Sequence, residues 1–198
     1  MKPEMITLKY GDASIKMPTS SLAKLAMASV FAQVLPPAAN VQPVEPLSVP
    51  ALGEYWPGQG GLNGGFVPAR GNVPAHYLIF AKADIGEHQW GPRNTDLPGT
   101  SKTDGKLNTE LMCFDDKDYP AANACAEYAA DGHNDFYLPA AAELYQAWAN
   151  DLISEGVYWS SSQRSAYFAF GMYFVGGSQN HNDKGNELRV RPVRRFFI

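Results

Sequence analysis

The polar stretch near the C-terminus is the part of this sequence best suited to chemistry. Two runs rich in Ser, Gln, Asn and His, at 162–167 and 178–183, flank an aromatic, strand-like segment at 167–175. Adaptable Ser, Asn and Gln side chains beside rigid Tyr rings are the residue types with which antibody paratopes bind ligands. The pattern predicts a ligand-binding surface made of ten residues: Ser162, Gln163, Arg164, Tyr167, Tyr173, Ser178, Gln179, Asn180, His181 and Asn182.

The sequence predicts no metal site and no cofactor. A calcium site needs clustered carboxylate and amide oxygens, and the runs at 133–135 and 180–183 supply only a few, as polar turns commonly do. Zinc needs several His or Cys ligands at close spacing. The four His residues are instead scattered along the chain, at His76, His88, His133 and His181.

The two cysteines, Cys113 and Cys125, are too few for a disulfide framework. They would form a single bridge in an exported chain, or lie in the core as small hydrophobic side chains. The second alternative is the usual behaviour of free Cys, and we favour it.

The charge of the chain gives no general reason to expect a nucleic-acid ligand, because the formal net charge is −4. The segment 184–195 is locally basic, with five Lys and Arg residues and one acidic residue. Basic residues with Tyr and Phe are one way to bind a single strand. Since these Arg residues alternate along a strand, we predict instead a solvated or ion-paired strand face.

The composition is that of a globular protein. The 198 residues are 45% hydrophobic and 18% charged, enough for one domain or for one domain with a small appendage. The longest apolar stretch, 22–35, is too short to cross a membrane and contains Lys24 and Gln33. The stretch is also a poor signal peptide, because Glu4 and Asp12 lie where a basic leader is expected. The protein would then reach an exterior by virion assembly or by a specialised secretion route.

Residues 1–50 form a predicted unit of their own. Apolar residues alternate over 5–15 around a turn at 10–12, which predicts a hairpin. Helix-start residues at 18–21 precede an Ala-, Leu- and Met-rich helix, and 36–50 reads as a Pro-rich linker. The unit is either an accessory layer or an assembly module through which the chain forms an oligomer.

Residues 51–198 predict an α+β domain. Glycines at 53–65 indicate tight turns between short strands, 76–81 a buried strand, and 84–107 a long surface loop. Pro120 opens a helix through 121–130, and Pro139 opens a second, whose apolar spacing places Trp148 in the core. The last fifty residues indicate antiparallel hairpins with turns at 176–177 and 184–185.

Four segments, taken in order, resemble the bacterial and phage DUF1566 family. They are the opening 53–61 with 76–79, a "DG-x-x-D-W-x-LP-x-x-x-EL" segment at 131–144, a "YWSS" segment at 158–161 and a "VRPVR" close at 190–194. Phe136 stands where the family usually has Trp. The resemblance covers about residues 50–198, and we identify no family for the first fifty.

The resemblance implies a C-type-lectin-like fold of antiparallel sheets with two helices. It also implies a relation to the variable proteins of diversity-generating retroelements, which bind ligands through a diversified C-terminal surface. Asn-bearing template codons there yield Asn, Ser, Tyr, His, Gly and Asp, and such residues dominate 177–186. The expected partner is a protein or glycan on another cell or surface, with no nucleic acid and no membrane insertion.

Two alternatives stay open at this point. The run 177–186 also fits an ordinary polar hairpin, which would make the protein an undiversified adhesin or lectin-like domain. The fold implied by the resemblance is shared with formylglycine-generating enzymes, which need paired cysteines near the C-terminal core. Because Cys113 and Cys125 precede the "LP" helix, we predict a protein that is not an enzyme.

Overall fold

The structure, a computed structural model, describes residues 4–10, 13–23 and 48–198. The chain divides into two compact units, Met1–Ser48 and Val49–Ile198. The boundary lies close to the predicted one at residue 50. Most of the predicted Pro-rich linker and most of the Ala-rich helix fall outside the described residues.

The N-terminal unit contains the predicted hairpin. Strands β1 (Met5–Tyr10) and β2 (Ala13–Pro18) are antiparallel with an uninterrupted register from Met5↔Pro18 to Tyr10↔Ala13. Residues 19–23 begin a helix, and the Thr19 hydroxyl donates to the Glu4 carbonyl at 2.7 Å. The alternation of apolar residues therefore predicted this hairpin correctly.

The second unit contains nine strands. They are β3 (Tyr55–Trp56), β4 (Gly61–Val67), β5 (His76–Phe80), β6 (Glu87–Gln89), β7 (Val157–Gln163), β8 (Phe168–Tyr173), β9 (Ser178–Asp183), β10 (Glu187–Arg189) and β11 (Val193–Phe197). One sheet has the order β11-β5-β4-β3 and the other β6-β10-β7-β8-β9. The predicted strand at 76–81 is confirmed as β5, and the turn at 176–177 joins β8 to β9.

Three helices of this unit complete the α+β fold: α1 (Gly105–Phe114), α2 (Pro120–Glu127) and α3 (Ala141–Ala149). The α+β class is thus confirmed. None of the helices in the described part of the chain is long and apolar enough to span a membrane.

The segment 84–107 was wrongly predicted to be one surface loop. It contains β6, the start of α1 and the fully buried Trp90. Asp104 caps α1 by accepting a hydrogen bond from the Leu107 N–H at 3.1 Å. The helix was missed because its buried face carries the polar residues Asn108 and Thr109, which hide the apolar periodicity.

Two other boundaries differ from prediction. The helix opened by Pro120 ends at Glu127, because 130–133 forms a tight turn with positive φ at Asp131 and Gly132. The turn at 184–185 does not join a β9–β10 hairpin. Instead, β10 crosses to lie between β6 and β7, meeting β7 at one parallel bridge.

The core consists of two clusters of buried side chains. The first centres on Trp90, Tyr119 and Trp159, and the second on Phe80, Tyr137 and Leu144, against which the half-buried Trp148 packs. Burial of Trp159, expected from the sequence, is confirmed.

The two cysteines are free thiols. Cys125 is buried in the first cluster as predicted, whereas Cys113 is exposed. The prediction of a buried side chain was therefore wrong for Cys113, which lies on the outer side of α1.

Candidate functional site

The ten residues predicted to bind a ligand occupy different environments. Ser162 is buried, and Gln163, Tyr173 and Asn182 are partly buried. The other six are exposed on β9 and in the turn before β8: Arg164, Tyr167, Ser178, Gln179, Asn180 and His181. We call these six exposed residues the β8–β9 surface; along β9 their side chains point alternately to the two faces of the sheet.

Strand β9 forms most of this surface because it is the last strand of its sheet. Four consecutive residues, 178–181, are exposed. The Gln179 and His181 side chains share one face with Met172 and Phe170, their partners on β8. Gln179 Nε2 donates to the Ala141 carbonyl at 2.6 Å, which ties the strand to the start of α3.

Ser162 stabilises the structure beneath the surface and is only 1% exposed. Its hydroxyl donates to the Ser101 carbonyl at 2.9 Å and accepts from the Ala141 N–H at 3.1 Å. It therefore joins β7, α3 and the segment before α1, and presents almost no surface to a ligand.

Gln163 has a similar role because both ends of its amide are bonded. Its Oε1 accepts from the Leu97 N–H at 3.0 Å and from Lys184 Nζ at 2.7 Å, and its Nε2 donates to Asp96 at 2.5 Å. The network connects the segment 95–97 to β7 and to the end of β9.

Lys184 is the buried centre of this network. Its Nζ also donates to the Thr95 carbonyl at 2.7 Å and lies 4.4 Å from the centre of a Trp90 ring. Burial lowers the pKa of Lys184 to about 8. No sequence pattern distinguishes this lysine from the neighbouring charged residues of the basic segment 184–195.

The residues of the "DG-x-x-D" segment are also structural. The Asp131 carboxylate accepts from the Tyr55 hydroxyl at 2.7 Å and from the Gly58 and Gly60 N–H groups at 3.0 and 3.2 Å. The bond from Tyr55 is the main reason that the pKa of Asp131 is lowered. Asp131 therefore fixes the turn between β3 and β4.

The ion pairing predicted for the basic segment 184–195 is confirmed near the end of that segment. Arg194 pairs with Asp135 at 2.6 Å. Arg191 instead donates to the carbonyls of Ala81 and Lys82, at 2.5 and 2.7 Å. These arginines hold the chain at either side of Pro192 and are largely buried.

Glu143 and Arg195 form a buried ion pair next to a cleft. Arg195 Nη2 lies 3.1 Å from Glu143 Oε1 and 2.8 Å from Asp104 Oδ1, and Tyr137 donates to Glu143 at 2.9 Å. Burial raises the pKa of Glu143, while the Ala140 N–H and Arg195 lower it. Asp104 and Glu143 thus compensate the charge of Arg195 within the protein.

The cleft has a volume of about 600 Å³ and is lined by residues of 67–76, the start of α1 and α3. His76 is buried in its wall, and its Nδ1 lies 2.8 Å from the Pro74 carbonyl. Burial lowers the pKa of His76. None of the ten predicted residues lines this cleft, so it is separate from the β8–β9 surface.

A smaller pocket of about 320 Å³ does adjoin the β8–β9 surface. It lies between α3 and the two strands and is lined by Lys102, Thr103, Ala141, Ala142, Tyr145, Phe170 and Gln179. Tyr145 is exposed on α3. No local signal places Lys102 here, because the contact depends on how α3 packs on the sheet.

No family model matches this chain, and no curated protein matches its sequence. Within the described residues, no group of three or more His, Cys, Asp or Glu side chains is arranged to hold a metal ion.

Proposed function

We propose that this protein binds a ligand on another cell or surface through the β8–β9 surface. The observation that carries the proposal is the contrast between β9 and the residues that hold its sheet in place. Residues 178–181 are exposed on an edge strand, while Gln163 at the end of β7 and Lys184 after β9 are fixed by hydrogen bonds. A rigid framework with exposed Tyr, Asn, Ser and His side chains is favourable for recognition, because little entropy is lost on binding.

We further propose that residues 49–198 form a C-type-lectin-like domain. The pairing of β11 with β5 supports this proposal, because it brings the C-terminal strand beside a strand from the start of the unit. The segments that resemble the DUF1566 family also support it, since Asp131, Trp159 and Arg194 all make structural contacts.

Diversification of the exposed residues by a retroelement is the third part of the proposal. Substitutions at exposed positions away from special backbone or packing features change the free energy of unfolding by about 0.5 kcal/mol or less. Positions such as Tyr167 and Asn180 therefore tolerate many side chains, and the buried network beneath them keeps the same fold.

The test uses the full chain with two probes, an immobilised glycan array and a phage-displayed heptapeptide library. The test variant replaces the exposed residues Arg164, Tyr167, Ser178, Asn180 and His181 by Ala. The control variant replaces five exposed residues elsewhere by Ala: Lys82, Gln89, Lys106, Glu110 and Glu127.

The proposal predicts that wild type and control bind the same probes, and that the test variant loses at least tenfold in affinity. Its melting temperature should stay within a few degrees of wild type. Equal binding by all three proteins, or no binding to either probe, would overturn the proposal.

A further inference from the structure

The backbone of β9 presents unpaired hydrogen-bonding groups at the edge of its sheet. In an antiparallel pair, residues alternate between bonding to the neighbouring strand and pointing away from it. The Lys184 N–H donates to the Tyr167 carbonyl at 3.0 Å, and the β8–β9 register is continuous from that point. Asn182, Asn180 and Ser178 therefore bond to β8, while the backbone groups of His181 and Gln179 point outward.

The outward groups are only partly occupied. The His181 N–H donates to the side chain of its neighbour Asn180 at 2.9 Å. Within the described residues, no hydrogen bond is made by the N–H or carbonyl of Gln179, or by the carbonyl of His181. An added strand would find three free groups, and a fourth once the Asn180 side chain rotates.

The other edges of the Val49–Ile198 unit are shorter or covered. Strands β3 and β6 have two and three residues. Strand β11 has five residues, two of which are Arg, and backbone hydrogen bonds with Tyr137 in both directions, at 2.8 and 3.0 Å, occupy the outer side of its first residue, Val193.

Edge strands are usually protected by Lys, Pro or a bulge. The β9 sequence has six residues with neither Lys nor Pro, and its register with β8 shows no bulge. Its one formally charged residue, Asp183, lies at its end. Strand β9 is therefore the long, unprotected edge of this unit.

We propose that β9 binds an extended segment of a protein partner, which adds to the sheet as a further strand. This inference rests on the proposed function of the β8–β9 surface and names the class of ligand as protein. In strand addition, main-chain hydrogen bonds contribute affinity and alternate side chains set specificity. The exposed side chains of β9 can then vary while the binding mode stays the same.

The pocket beside Gln179 indicates which side chain the added segment carries. A partner residue opposite Gln179 lies on the same face of the sheet, next to the pocket lined by Phe170 and Tyr145. An aliphatic or aromatic side chain fits these rings. Because the exposed Lys102 lies 5.8 Å from the centre of the Phe170 ring, an acidic residue nearby in the partner would add a favourable contact.

The experiment compares two substitutions of one residue in the full chain. His181→Pro removes an outward N–H and blocks an added strand, and Pro is tolerated on an edge strand at such a position. His181→Ala removes the side chain and keeps the N–H. The probe is a heptapeptide selected on wild-type protein from the phage-displayed library.

Strand addition predicts that His181→Pro weakens peptide binding at least tenfold more than His181→Ala does, because both variants lose the side chain and only Pro loses the outward N–H. It also predicts that the bound peptide slows amide hydrogen exchange of Gln179 in wild-type protein at least tenfold. If the Pro variant melts at a lower temperature than the Ala variant, the hydrogen exchange of Gln179 in wild-type protein decides whether the peptide binds as an added strand.

Several results would overturn the inference and leave the proposed function in place. They are equal losses for the Pro and Ala variants, unchanged exchange at Gln179, or binding to glycans with no peptide selected. Peptide binding that neither His181 variant nor the fivefold Ala variant weakens would overturn both proposals together.

Discussion

The segments that resemble a known family and the β8–β9 surface differ in what their polar side chains contact. Asp131, Glu143 and Arg194 are bonded to other residues of the protein, whereas Asn180 and His181 mostly face solvent. The residues most easily recognised in the sequence therefore maintain the fold. Those proposed to bind a partner are exposed and are the least constrained by it.

The largest expected effect comes from removing Arg195, the ion-pair partner of Glu143 in the first of these regions. We predict that Arg195→Met lowers the free energy of unfolding by about 3–5 kcal/mol, because Glu143 is left buried without its cation. Urea denaturation measures the change. Lys106→Met, at an exposed position on α1, is the matched control and should change the value by about 0.5 kcal/mol or less. Equal effects of the two variants would contradict this account.

The next effect depends on pH and concerns Lys184. Its pKa is about 8 in the folded protein and about 10.4 in an unfolded chain, so the unfolded state binds more protons between these values. The contribution of Lys184 to stability therefore rises as the pH is raised from 8 to 10.4. We predict that the stability of wild type relative to Lys184→Met increases by roughly 2 kcal/mol over this range. A constant difference would show that the lysine is solvated.

A matched pair of glycines tests the turn between β8 and β9. Gly177 has a φ of +66°, and a Cβ there would lie 2.1 Å from Trp148, whereas a Cβ on Gly176 meets nothing within 4 Å. We predict that Gly177→Ala lowers the free energy of unfolding by about 1–3 kcal/mol. Gly176→Ala should be nearly neutral. Thermal or urea unfolding of the two variants distinguishes them, and the opposite order would contradict the structure of the turn.

The last pair of substitutions compares a buried and an exposed serine among the ten residues predicted to bind a ligand. Ser162→Ala leaves the buried Ala141 N–H without its partner and should cost about 1–3 kcal/mol. The same change at the exposed Ser178 should stay within about 0.5 kcal/mol. Urea denaturation of the two variants checks this. Similar values would mean that the division into buried and exposed residues is wrong.

Local sequence patterns correctly predicted the elements whose conformation depends mainly on residues close to one another in the chain. Alternation predicted the β1–β2 hairpin, the segment 76–81 was predicted as the buried strand β5, and Pro120 marked the start of α2. Helix α1 was missed because Asn108 and Thr109 face the core, where Asn108 bonds to Ser101 and Ser161. A polar buried face cannot be distinguished from a surface face without knowing its partners.

The candidate site was predicted only in part, because the sequence does not show which of its polar residues are buried. Ser178 and Ser162 have the same chemistry and a similar sequence context, yet one lies on an edge strand and the other beneath α3. The position of β9 at the edge follows from β10 crossing to the far side of the sheet. That crossover is a property of the whole fold, so no short segment of the sequence indicates it.

Sequencing the gene and its flanking DNA deeply across a population tests the central claim most directly. The account predicts substitutions concentrated at the exposed codons 164, 167 and 178–181, few at 162 and 184, and a near-identical template repeat beside a reverse transcriptase gene. Substitutions spread evenly over exposed and buried codons, or a uniform sequence without those neighbours, would contradict a diversified recognition surface.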